Sequence, residues 1–195
     1  ITVYGFEFYL NSLGNTLEKR QMIAKQQGIP FDTRNLVEVL DDLNASGIKA
    51  YPDTGPNHYM INGLITSQGK IVPLGGISNV TTLLRNETGY YPIFKTDEHG
   101  FNNPKGLYNK NKVDIMLIGD SFTEGYSVNQ DETIGAVLRG LGFQTISVGE
   151  GGNGTLLEFA SLKEYAQPLE PKIVVWICHP NDITNISVTP DLAKE

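Results

Sequence analysis

Residues Asp114 to Gly125, reading Asp-Ile-Met-Leu-Ile-Gly-Asp-Ser-Phe-Thr-Glu-Gly, constrain the fold of this chain more than any other stretch. Ile115 to Ile118 is apolar without polar alternation, too short for a helix, and runs straight into a Gly119-Asp120-Ser121 turn. Such a run predicts a strand covered on both faces, as in a parallel sheet flanked by helices. Ligands and chemistry in these sheets sit just beyond the carboxyl ends of the strands, where Ser121 falls. A serine there is either a helix cap or a nucleophile.

The residues after Val113 repeat the pattern. Strand 114–118 is followed by a helix over 131–140, opened by Asp131 and Glu132 and closed by Gly142. Strand 143–148 leads into Gly149-Glu150-Gly151-Gly152-Asn153-Gly154, and a helix over 155–166 ends before Pro168. Strand 172–178 follows, with Trp176 and Cys178 read as core residues. Alternating strands and helices predict a parallel α/β unit.

Upstream, a surface helix over 15–27 stops at Gly28, and a second over 33–45, capped by Asp32 or Thr33, stops at Gly47. From Tyr51 to Gly106 glycine and proline are dense, with short β segments expected at Tyr59–Ile61, Lys70–Pro73 and Tyr90–Phe94. The chain therefore divides into an irregular α+β lead-in over 1–106 and an α/β region over 107–195.

Three turns share one sheet edge, supplying Ser121, the glycine cluster and Asn181. Acyl transfer needs a hydroxyl that attacks a carbonyl and donors preorganised for the oxyanion. The backbone N–H groups of Ser121 and Gly152 and the carboxamide of Asn181 suit those roles; at a glycine no Cβ obstructs the approach. Asp120 reads as a turn-fixing hydrogen bonder, and Glu124 as either a pocket-mouth residue or a solvated helix-start carboxylate.

Other chemistries find little support. A net charge of −7 over 195 residues argues against nucleic acid as the main partner. His58, His99 and His179 are too scattered for a metal site and read as structural, and the glycine cluster fails the dinucleotide fingerprint, so no cofactor is expected. Cys178 has no cysteine to pair with, and its apolar flanks predict a buried thiol.

Gly119 to Gly125 resembles the first block of the SGNH, or GDSL, hydrolase superfamily. Gly149 to Thr155 resembles the second block and Pro180-Asn181-Asp182 the third, although His179-Pro180 stand where the family usually has glycine. Thr96 to Pro104, containing Asp-Glu-His-Gly-Phe-Asn-Asn-Pro, is similar to the lead-in of a bacterial subgroup. The resemblance implies a three-layer α/β/α flavodoxin-like parallel sheet, incomplete here with three strands visible. It further implies a serine esterase or acyl transferase, with Ser121 as nucleophile and Gly152 and Asn181 as oxyanion donors. The substrates implied are small-molecule, glycan or lipid esters, with a membrane anchor upstream and a membrane-associated or extracytoplasmic setting.

The family's last block, Asp-x-x-His, supplies the general base, and no such motif occurs in this sequence. With Ile1 at one end and Lys194-Glu195 at the other, the chain reads as a fragment truncated before that block, inactive by itself. The alternative is a non-catalytic binding or scaffold domain that keeps the pocket and lacks the base. Oligomeric state is not legible.

Overall fold

The computed structural model describes residues 17–56, 63–67 and 69–179. The lead-in opens with helices α1 (Leu17–Gln27) and α2 (Leu36–Ala45). The cap of α2 is Asn35, not Asp32 or Thr33. Asn35 Oδ1 accepts the Glu38 N–H at 3.0 Å, and Glu38 Oε2 accepts the Asn35 N–H at 2.7 Å. That reciprocal box needs a carboxylate three residues on, which only the Asn35 register supplies. Asp32 is engaged instead by the Arg34 guanidinium, 3.0 Å from Nε.

Five short strands follow: β1 (Ala50–Pro52), β2 (Leu64–Thr66), β3 (Gly69–Ile71), β4 (Thr81–Leu83) and β5 (Ile93–Lys95). β4 lies between a parallel β1 and an antiparallel β5, while β2 and β3 form a separate antiparallel pair. The segment expected at Tyr59–Ile61 lies outside the described residues.

The second sheet contains β6 (Ile115–Gly119), β7 (Thr145–Ser147) and β8 (Ile173–Ile177), in the order β7-β6-β8 and parallel throughout. Helix α3 (Ser121–Glu124) follows β6, then a 3-10 turn at Gln130–Glu132 and α4 (Ile134–Gly140). Between β7 and β8 run α5 (Thr155–Ser161), a π turn at Leu162–Ala166 and α6 (Gln167–Leu169). The architecture is α/β, a small parallel sheet with several helices. All of β6 is buried, as its unbroken apolar run requires. Phe101, Val113, Met116, Ile118, Ile146 and Val148 share one core, so the lead-in contributes to it through Phe101.

Three expectations fail locally, at α4, Pro168 and Cys178, whereas Trp176 packs against the core as expected. Thr133 caps α4 through Ala136 N–H at 3.1 Å, whereas Glu132 closes a box with Asn129 one turn earlier. Helix continues through Pro168, because the π turn before it widens the ladder where a proline would otherwise clash with a carbonyl one turn back. Among the described residues β8 stands at an edge of the sheet, and its consecutive Ile173, Val174 and Val175 are exposed because nothing described covers either of its faces there. Cys178, just beyond β8, is likewise exposed and not buried.

The Thr96–Pro104 segment braces the sheet. Asp97 is fully buried, and its carboxylate accepts from His99 N (2.8 Å), Phe101 N (3.0 Å), Asn103 Nδ2 (2.8 Å) and the Tyr108 hydroxyl (2.7 Å). Asn103 Nδ2 also donates to the Ser147 carbonyl at 2.7 Å, while its Oδ1 accepts the Ser147 N–H at 2.9 Å. The Asn103 carboxamide thus pairs with the outer edge of β7 as a strand would, satisfying backbone groups that burial would otherwise orphan. His99 packs against Tyr108 and Tyr165, ring centroids 4.3 and 5.3 Å away.

Asn103→Ala leaves buried donors and acceptors on Ser147 and Asp97 without that partner. Its expected cost is about 2–4 kcal/mol in denaturant unfolding, against less than about 1 kcal/mol for the exposed Asn109→Ala.

Candidate active site

Helix α3 is only four residues long and owes its existence to caps and packing. Asp120, at its N-cap, accepts the Phe122 N–H at 3.0 Å, the turn-fixing role expected of it. Gly125 ends the helix in the left-handed region at φ +82°, donating to the Ser121 carbonyl at 3.0 Å. Ser121 is therefore the first helical residue beyond a buried strand, half-buried, at the carboxyl edge of the sheet.

The glycine cluster lies directly on this helix. A Cβ on Gly149 would fall 2.4 Å from Thr123 Cβ and 2.7 Å from the Glu124 nitrogen. On Gly119 it would meet Thr123 Oγ1 at 2.2 Å and the Ile177 carbonyl at 2.7 Å. The ends of β6 and β7 thus close on the Thr123 side chain of α3, and the end of β8 lies against Gly119. Gly152 is exposed, with φ +81°. Asn181 lies outside the described residues.

Ser121 also lines a groove of about 370 Å³ with Phe122, Tyr126, Val128 and Ile134, bordered by Glu87 and Glu132. Its walls come largely from the Ser121–Ile134 stretch, and among the described residues no member of the Gly149–Gly154 loop lines it. The His179 ring stacks on Phe122, centroids 4.6 Å apart and planes 23° apart.

Sequence reasoning missed what lies beneath the loop. Glu124 is 2% exposed and faces inward, neither solvated nor at a pocket mouth. Its Oε2 accepts the Gly151 N–H at 2.7 Å. Carboxylate oxygens of Asp53, Glu124 and Glu150 all lie within 4.8 Å of one another. Asp53 arrives from the end of β1, where its N–H bonds the Leu83 carbonyl at 2.9 Å, and Glu150 follows β7. Burial raises the pKa of both glutamates well above the ordinary range, and the neighbouring carboxylates add to it: Asp53 on Glu124, and Glu124 and Asp53 on Glu150. The Gly151 N–H pulls the other way at Glu124 without reversing the shift. One sequence signal was available, since Glu124 and Glu150 each follow a predicted strand at the same sheet edge.

Gly149→Ala forces a Cβ into the α3 backbone and is expected to cost about 1–3 kcal/mol, whereas Gly140→Ala, open on all sides, stays near neutral in the same denaturant titration. The buried glutamates hold protons at pH values where an unfolded glutamate, with a pKa of about 4.3, has lost its own. The folded chain then binds more protons than the unfolded one, so stability declines as pH rises above that value. Glu150→Gln keeps a neutral hydrogen-bonding group and should flatten the decline in a melting-temperature series across pH. Compared with family models, with characterised proteins and with solved structures, the chain matches none of them.

Proposed function

We propose that this chain carries the acyl-transfer centre of an SGNH-type serine esterase or acyl transferase, built on a flavodoxin-like sheet. One observation carries the reading: Ser121 opens a helix directly beyond a buried parallel strand, beside a groove, with a glycine-rich loop packed on that same helix through Gly149 and Gly151. In this reading the Ser121 oxygen attacks an ester carbonyl while its proton passes to a base. The tetrahedral oxyanion is met by the Ser121 and Gly152 N–H groups and by Asn181. Collapse expels the alcohol, which takes up the proton, and leaves an acyl ester on Ser121. Water or a second alcohol then releases the acyl group.

The substrate is an ester on a carbohydrate or lipid. Phe122, Tyr126, Val128 and Ile134 give the groove an apolar wall suited to a small acyl group or a sugar face. Glu87 and Glu132 at its border, on a chain of net charge −7, disfavour anionic esters. A second reading, a binding or scaffold domain without turnover, is favoured by the sequence's lack of an Asp-x-x-His block.

A fluorophosphonate probe separates the two. Because no Asp-x-x-His base occurs in this sequence, the expected adduct forms slowly; it maps to Ser121 by mass spectrometry and is lost in Ser121→Ala. A wild-type chain as inert as Ser121→Ala, yet retaining an acetylated oligosaccharide on a column, would favour the binding domain.

A further inference from the structure

Three carboxyl groups converge where two of them are shut off from water, directly beneath the loop that carries Gly152. We propose that Glu124 is a positioning residue, which with Glu150 and Asp53 clamps the Gly149–Gly154 loop onto the helix bearing Ser121. The inference rests on the roles of Ser121 and Gly152 proposed above.

At its far end the loop is tied to α5, the Gly154 carbonyl accepting from Leu157 and Glu158 N–H at 3.0 and 3.1 Å, but its near half has few polar attachments. Gly149, Gly151, Gly152 and Gly154 offer only backbone groups. Within the loop, Asn153 N–H bonds the Glu150 carbonyl at 3.1 Å. Outward, Glu150 N–H reaches the Gly119 carbonyl at a long 3.3 Å, while Gly151 N–H reaches Glu124 Oε2 at 2.7 Å. The second bond is the short one, and its acceptor is rooted in the same four-residue helix as Ser121. Gly151 sits so close that a Cβ would lie 3.0 Å from that same oxygen and 3.2 Å from the Tyr126 ring. A shift of Glu124 is therefore transmitted to the loop one residue from Gly152.

The clamp depends on protons. Asp53 and Asp120 face Glu124, and Glu124, Asp53 and Asp97 face Glu150. The neighbouring Tyr126 feels Asp53, Glu124 and Glu87 as well as Arg85, and Tyr165 feels Glu150, Asp97 and Glu164. With a proton among them, the repulsion between carboxyls held within 4.8 Å of one another is relieved. With none, like charges in a buried space repel, and separating them draws Glu124 away from Gly151.

Amide hydrogen exchange on the full chain tests this, with wild type, Glu124→Gln, Glu124→Ala and Glu150→Gln compared between about pH 5 and pH 9. The Gly151 amide should lose about tenfold or more protection in Glu124→Ala, with amides of β6 unchanged, and Glu124→Gln should restore most of it. In wild type that protection should fall with pH beyond the intrinsic acceleration, and Glu150→Gln should remove the excess. Fluorophosphonate labelling of Ser121 should drop about tenfold or more in Glu124→Ala and recover in Glu124→Gln. Unchanged Gly151 protection in Glu124→Ala, or a wild-type protection that ignores pH, overturns the clamp. So does rescue of high-pH protection by millimolar Mg²⁺ or Ca²⁺, which would make the cluster a cation site. If Glu124→Ala does not fold, the wild-type and Glu150→Gln titrations decide. A Gly151 amide that behaves as expected in a chain whose Ser121 never labels overturns the catalytic reading and leaves the clamp standing.

Discussion

At the carboxyl edge of the parallel sheet, Gly119 after β6 and Gly149 after β7 press directly on one short helix, both against the Thr123 side chain. Gly119 and Gly149 have no room for even a methyl group, the nearest atoms lying 2.2 Å and 2.4 Å from where a Cβ would be. A four-residue helix has no stability of its own in water. Here it persists because Gly119 and Gly149 pack closely on it and the Asp120 side chain caps it. Everything proposed for Ser121 follows from that nesting, since it fixes the hydroxyl at the sheet edge beside the glycine-rich loop.

Carboxylates are buried in two opposite ways within a few residues of each other. Asp97 receives four hydrogen bonds and locks the lead-in to the outer edge of β7 through Asn103. Glu124 and Glu150 receive far less, face other carboxyls, and answer by holding protons. The first arrangement reads as scaffold, because every lone pair that points inward meets a donor. The second stores electrostatic tension beneath the very loop that the acyl-transfer reading assigns to the oxyanion.

Much of the sheet was legible because one-dimensional patterns encode burial directly. Ile115 to Ile118, apolar on both faces, lies in a fully buried central strand, and Gly28 and Gly47 close their helices with positive φ. Caps were less legible. Asp32, Thr33 and Asn35 are all good cap residues, and only the pairing of Asn35 with Glu38 selects one. Cys178 read as buried because its neighbours are apolar, yet strand position in the sheet, not composition, decides exposure. Of the candidate site, the placement of Ser121 was legible; the cluster of Asp53, Glu124 and Glu150 was not, because its members are distant in sequence and meet only when β1, α3 and the loop after β7 pack.

By itself the sequence determined the alternation of strands and helices, the edge on which the Ser121 turn and the glycine-rich loop lie, and the glycines that let them pack closely there. Periodicity and the lack of a Cβ are local properties, and they survive being read one residue at a time. Only the tertiary structure decided which polar groups lose their water. That decision turned Asp-Glu-His-Gly-Phe-Asn-Asn-Pro into a brace, left the first three residues of β8 exposed, and brought three carboxyls within 4.8 Å of one another. Desolvation depends on what covers a group from every side, and no stretch of chain carries that information alone.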